Sequence, residues 1–121
     1  MAMILVVDDS TYARRRMRQT LEEAGHTVSE ASSGMAALES FVTDAPQLVM
    51  LDLTMEDMSG MEVLARLREI DPRARVIVVS ADVQRSTSKL VGEAGAFRFL
   101  GKPADPADVL EAVRAALDEA S

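Results

Sequence analysis

Four short apolar runs, residues 3–7, 48–53, 76–79 and 96–100, set the strongest constraint on how this chain can fold. They are dominated by Val, Leu, Ile, Met and Phe and do not alternate with polar residues. A strand covered on one face alternates; a strand covered on both does not. The runs therefore predict strands buried on both faces, as in a parallel sheet. A weaker strand at 27–31, where Thr27, Val28 and Ser29 mix characters, reads as a sheet edge.

Helical stripes separate the runs. Ala13, Met17, Thr20, Leu21 and Ala24 share one helix face, with Gly25 as a stop signal. Met35, Leu38, Phe41 and Val42 form a second stripe that must end before Pro46, and Met61, Leu64, Leu67 and Ile70 a third closed by Asp71-Pro72. Leu90, Val91 and Ala94 end a fourth at Gly95. Asp105-Pro106 opens the last, an N-cap followed by proline at the first helical position, with Val109, Leu110, Val113, Ala116 and Leu117 as its face. Strand–helix alternation of this kind implies parallel strands joined by right-handed crossovers, with helices on both faces of the sheet.

A length of 121 residues supports one domain with one core. Aromatics are only 3% of the chain, so aliphatic side chains and alanine must fill that core. The net charge of -7 disfavours direct contact with a nucleic-acid backbone. Arg14-Arg15-Arg16 reads as a solvated helix face, with a docking patch for an acidic partner as the alternative. With no cysteine, disulfides and thiolate metal sites are excluded. The apolar start is short and meets Asp8-Asp9 at once, unlike a signal peptide, and no run approaches the ~20 apolar residues of a membrane span. The expected location is cytoplasmic, without membrane contact.

Open α/β sheets bind ligands beyond the carboxyl ends of their strands, so the residue closing each run matters most. The first run closes in Asp8-Asp9, the third strand near Asp52, the fourth in Ser80, and the fifth is followed by Lys102-Pro103. Singly these are an N-cap, a turn acid, a serine and a solvated lysine. Asp52, however, is embedded in LVMLDLTM, where an acid is costly without a partner or cation. At about 5 Å and an effective dielectric of ~20, two carboxylates repel by roughly 3 kcal/mol. Lys102 offsets one charge; a hard divalent cation offsets more, and an all-oxygen donor set suits Mg²⁺. A carboxylate, a cation, a lysine and a hydroxyl together make a phosphoryl-transfer site.

At these residues the chain resembles the receiver domains of response regulators, nearest in size to the single-domain chemotaxis type. LVVDDS, LVMLDLTM with Gly60, VIVVSA and FLGKP match the family's motifs in order, and the resemblance spans essentially all of residues 1–121 as one domain. It implies a flavodoxin-like sheet of strand order 2-1-3-4-5, an order that comes from the resemblance and not from periodicity. It implies that Asp52 is the phosphoacceptor, that Asp9, the Asp52 carboxylate and the Thr54 carbonyl bind Mg²⁺ directly, and that Asp8 acts mostly through water. Ser80 would donate to a phosphoryl oxygen, Lys102 would pair with phosphoryl or carboxylate oxygen, and Phe99 falls at the family's switch aromatic. The bond before Pro103 is expected to be cis. The implied partners are a histidine kinase or histidine phosphotransfer protein and a downstream target protein. The expected activity is that of a switch catalysing its own phosphorylation and dephosphorylation rather than an independent enzyme.

Two positions depart from the family. Glu56 stands where many members have Pro, which predicts a freer, more acidic loop, and Ala104 stands where many have Phe. Three competing readings meet specific obstacles. A haloacid-dehalogenase-type phosphatase needs a second Asp two residues after the first, but Thr54 is there. A flavodoxin needs a Ser/Thr/Gly-rich phosphate loop where this chain has Asp8-Asp9, and a degenerate receiver would not keep the whole residue set. His26 reads as an exposed turn residue and Met55, Met58 and Met61 as core or turn packing. The chain stops soon after its fifth helix, so it reads either as a stand-alone receiver acting by protein contact or as part of a longer protein.

Overall fold

The computed structural model describes residues 2–120. Strands and helices alternate throughout: β1 (Met3–Val7), α1 (Thr11–Glu23), β2 (Thr27–Ala31), α2 (Gly34–Asp44), β3 (Leu48–Asp52), α3 (Gly60–Ile70), β4 (Val76–Ser80), α4 (Arg85–Glu93), β5 (Arg98–Gly101) and α5 (Pro106–Ala120). The five strands form one parallel sheet in the order β2-β1-β3-β4-β5, with Thr27–Ala31 on its edge.

Successive side chains of a strand leave opposite faces, and both faces are buried. Leu5, Val7, Val49, Leu51, Val76 and Val78 meet α2, α3 and α4 through Phe41, Val63, Leu64 and Val91. Ile4, Val6, Leu48, Met50, Ile77 and Val79 meet α1 and α5 through Leu21, Val109, Val113 and Ala116. The unbroken apolar runs of β1, β3 and β4 have this double cover as their cause, whereas β5, expected to be buried on both faces, forms the other edge of the sheet and is only half-buried.

Helix ends follow local chemistry. Ser10, Ser33 and Ser59 accept from the backbone N–H three residues on, at 3.2, 3.1 and 3.2 Å. Asp105 accepts from Ala107 N–H at the start of α5. Gly25 and Gly95 take positive φ at the stops of α1 and α4, a backbone that L side chains resist. Ala45 carries α2 into the left-handed region just before Pro46.

The structure revises several expectations. β5 starts at Arg98 instead of residue 96, because Ala96 N–H bonds back to the Val91 carbonyl of α4. Met35, Val42, Ile70 and Leu90, at the margins of the predicted stripes, are exposed, and Val91 is the one buried residue of α4. His26 is not an exposed turn residue; it is half-buried, its Nδ1 accepts from Ala2 N–H at 3.3 Å, and burial lowers its pKa. Arg14-Arg15-Arg16 is not one patch. Arg14 turns inward to Glu30 at 2.7 Å and to the Asp8 carbonyl at 2.8 Å, and Arg16 bonds the Tyr12 hydroxyl. Met55, Met58 and Met61 pack against the core as expected. Among the described residues no helix is long and apolar enough to cross a membrane.

Candidate functional site

The carboxyl ends of β1, β3, β4 and β5 converge on one edge of the sheet. Asp52 is the last residue of β3 and pairs in register with Val79, one before Ser80, which ends β4. Ser80 in turn pairs with Gly101, which brings Lys102 to the same edge. The Lys102-Pro103 peptide bond is cis, as expected.

Asp8, Asp9 and Asp52 can each place a carboxylate oxygen within 4.8 Å of the other two. Asp8 and Asp52 are buried, at 6% and 7% exposure, whereas Asp9 is exposed and makes no hydrogen bond among the described residues. Asp8 is held from two sides: Oδ1 accepts from Ser10 N–H and Oδ2 from Lys102 Nζ, both at 2.9 Å. Lys102 Nζ stands 3.6 Å from Asp52 Oδ1, so its direct partner here is Asp8, and Asp52 receives only the outer part of its charge. Thr54 N–H reaches Asp52 Oδ1 at a long 3.4 Å.

Burial pushes the Asp52 carboxyl above its ordinary value; Lys102 opposes this, and the charges of Asp8 and Asp9 add to it. For Lys102 burial alone would lower the pKa, but the Asp8 hydrogen bond and the charges of Asp52 and Asp8 outweigh it, and the net shift is upward. Three carboxylates against one ammonium leave the cluster short of positive charge. All the donors are oxygens, one carboxylate is unengaged, and the anionic form of Asp52 lacks full compensation. That donor set fits a small hard dication.

Strand alternation divides the site between the two sheet faces. Asp52 follows Met50 on the face of α1 and α5, where a cavity of about 440 Å³ opens beside Asp8, Asp52 and Lys102. Ala104 lines that cavity, and its small side chain adds little to the wall. Ser80 follows Val78 on the face of α3 and α4, where Phe99 packs half-buried against the core. The Ser80 side chain is 1% exposed, and its hydroxyl accepts from Asp82 N–H at 3.1 Å. Asp82 is itself engaged by the Thr87 hydroxyl at 2.7 Å. Sequence reasoning brought Asp8, Asp9, Asp52, Ser80 and Lys102 to one edge, and the structure does the same. Thr54 is exposed on the loop after β3, and Phe99 lies behind that edge.

The loop after β3 holds a residue that sequence reasoning missed. Asp57 receives Gly34 N–H and Met35 N–H on its two carboxylate oxygens, at 2.9 and 3.1 Å. These bonds hold its carboxyl below the usual carboxylate range. This neighbour of Glu56 thus ties the loop to the start of α2.

The sequence profile of the response regulator receiver domain matches residues 4–114, and the chain belongs to that family. Receiver domains are phosphorylation-dependent signalling switches of two-component systems, and this is the function class of the chain. The chemotaxis protein CheY of Thermotoga maritima is 35% identical over 111 residues, which are 91% of this chain and 92% of that protein. Among solved structures, a CheY-like receiver domain protein from Methanospirillum hungatei superposes with a TM-score of 0.94 at 30% identity, over 99% of this chain and 96% of that one. CheY in the CheX-CheY-BeF3-Mg complex from Borrelia burgdorferi superposes with a TM-score of 0.90 at 32% identity, over 93% and 87%.

Proposed function

We propose that Asp52 is the phosphoacceptor, and that the chain takes its phosphoryl group from a phosphohistidine of a kinase or phosphotransfer protein. The observation that carries this reading is the buried, under-compensated Asp52 carboxylate beside Asp8, Asp9 and Lys102. An Asp52 oxygen attacks phosphorus, the P–N bond of the donor breaks, and its electron pair returns to the imidazole. Asp9, Asp52 and the Thr54 carbonyl would hold Mg²⁺, with Asp8 acting through water. Mg²⁺ when bound neutralises phosphoryl-oxygen charge. Lys102 stands where its ammonium can stabilise the same oxygens. The test is mapping of the modified residue after treatment with acetyl phosphate and Mg²⁺. One acid-stable, base-labile group on Asp52 is expected; a group elsewhere would overturn the assignment.

Asp8 and Asp9 carry different roles in this reading. Asp8 is already bound by Lys102 and Ser10, whereas Asp9 is unengaged. Asp8→Ala should weaken Mg²⁺ binding roughly 10-fold, the ordinary cost of losing an outer-shell partner, and Asp9→Ala by more. Equal losses in a Mg²⁺ titration would count against the distinction.

The output runs through Ser80 and Phe99. A phosphoryl group brings new acceptor oxygens beside the Ser80 hydroxyl. Turning toward them, the hydroxyl leaves Asp82 N–H and vacates space on the face where Phe99 packs. The two arrangements must lie within a few kcal/mol for one phosphoryl group to shift them. The altered surface lies around Arg85 and Lys89, while Arg98 is tied to Glu111 at 2.8 Å. Ser80→Ala should accept phosphate more slowly and lose most of the amide shift changes near Phe99 and Lys89. Beryllofluoride at saturation measures this, and shift changes equal to wild type would remove the coupling.

A further inference from the structure

We propose that Asp57 is a positioning residue for the phosphoacceptor site, fixing the loop between β3 and α3 against the start of α2. The proposal rests on the reading of Asp52, Asp9 and Thr54 as the Mg²⁺ site.

The loop spans residues 53–59. Its base is pinched where Gly60 N–H donates to the Leu53 carbonyl at 2.9 Å. A Cβ at Gly60 would meet Leu53 Cα at 2.4 Å and the Asp52 carbonyl oxygen at 2.7 Å, so no other residue permits that closure. The pinch holds the loop's two ends but leaves its middle unsupported. Thr54 has only the long contact to Asp52 itself, and Glu56 makes no hydrogen bond or ion pair among the described residues. A proline at position 56 would stiffen this backbone by fixing φ. This chain lacks it.

Asp57 supplies the missing constraint from outside the loop. Its carboxylate spans Gly34 N–H and Met35 N–H, the first two donors of α2, while Ser33 takes Ala36 N–H with its own side chain. Helix-start amides have no partner within their helix, and a carboxylate is their strongest acceptor. A second contact keeps the two segments together. A Cβ at Gly34 would meet Met58 Cβ at 2.9 Å and Val63 Cγ2 at 3.0 Å, so Gly34 permits the loop to lie directly on the helix start. The loop carrying Thr54 is thus docked on α2 through the side chains of Asp57 and Met58 rather than through its own backbone. Releasing Asp57 leaves the Thr54 carbonyl less well placed for the ion while Asp8, Asp9, Asp52 and Lys102 stay as they are.

The experiment compares Asp57→Ala with Ser33→Ala. Both remove hydrogen bonds from the same helix end, and both should lower the melting temperature. Only Asp57→Ala detaches the loop. Titration with Mg²⁺ alone, followed by amide chemical shifts, should give affinity roughly 10-fold weaker in Asp57→Ala and within twofold of wild type in Ser33→Ala. Asp57→Asn, which keeps one acceptor oxygen, should fall between. Hydrogen exchange at Gly34 and Met35 should quicken in Asp57→Ala. Wild-type affinity in Asp57→Ala, or an equal loss in Ser33→Ala, would overturn the proposal. A wild-type chain that binds no Mg²⁺ would overturn the proposed metal site and this inference with it.

Discussion

Asp52→Asn is expected to take up no phosphoryl group from acetyl phosphate at any Mg²⁺ concentration, and to be more stable than wild type when Mg²⁺ is absent. Both effects have one cause. The amide lacks the anionic oxygen that attacks phosphorus, so labelling falls to background. It also lacks the charge that burial penalises. The Asp52 carboxyl is raised mainly by burial, Lys102 opposing and Asp8 and Asp9 adding. An acid whose folded-state pKa lies above its unfolded value binds its proton more tightly when folded. Its cost to stability is therefore absent below the unfolded value and grows as pH rises through the folded one. Urea melts in chelator should show the two proteins converging in acid and separating toward neutrality. The Asn variant should lead by roughly 1 kcal/mol, or about 4 °C in melting temperature for a domain of this size. Saturating Mg²⁺ should reverse the order, because it stabilises only the chain that binds it well. A variant less stable than wild type in chelator at neutral pH would mean that Asp52 is already compensated.

The parts of the site readable from sequence are those that a strand places. Asp8, Asp52 and Ser80 each follow an apolar run, so a parallel sheet delivers them to one edge whatever its detailed packing. Lys102 arrives by the same logic through β5. What periodicity could not supply is the pairing among them: that Lys102 bonds Asp8 and stands off Asp52 depends on side-chain reach across 94 residues of sequence. Asp57 was hidden for a related reason. Its partners, Gly34 and Met35, lie 23 and 22 residues away, and nothing in TMEDMSG marks one acid as a cap for another helix. Stripe margins such as Val42 and Ile70 misled because a helix lying on a sheet buries a narrower arc than its apolar residues span. The fourth helix gave only its end, since Val91 is its single buried residue.

Lys102→Met is expected to destabilise the chain by about 3 kcal/mol in the absence of Mg²⁺ at neutral pH. Breaking a buried pair leaves a charge uncompensated, which ordinarily costs ~3–5 kcal/mol, and the lower end applies because the lysine keeps partial contact with water. The side-chain exposures are 27% for Lys102 and 9% for Asp8, so the carboxylate is the group left stranded. Ser10 N–H still holds its other oxygen, but Asp52 and Asp9 repel it with no ammonium between them. Three measurements separate this cause from lost packing of the lysine stem. Adding Asp8→Asn to the variant should restore most of the stability, since the stranded charge is gone. Mg²⁺ should restore part of it by replacing the missing positive charge. The pH profile should differ in a defined direction. Lys102 is raised above its ordinary 10.5, burial being outweighed by Asp8 and Asp52. A base with a raised folded-state pKa contributes stability that is complete below its unfolded value and disappears as pH rises through the folded one. Wild type should therefore lose this contribution only in alkali, above about 10.5, and the Met variant should show no such step. In acid, protonation of Asp52, whose carboxyl burial raises, should narrow the gap between the two proteins. If Lys102→Met/Asp8→Asn is no more stable than Lys102→Met alone, the lysine acts through packing, and the charge balance derived for this site is wrong.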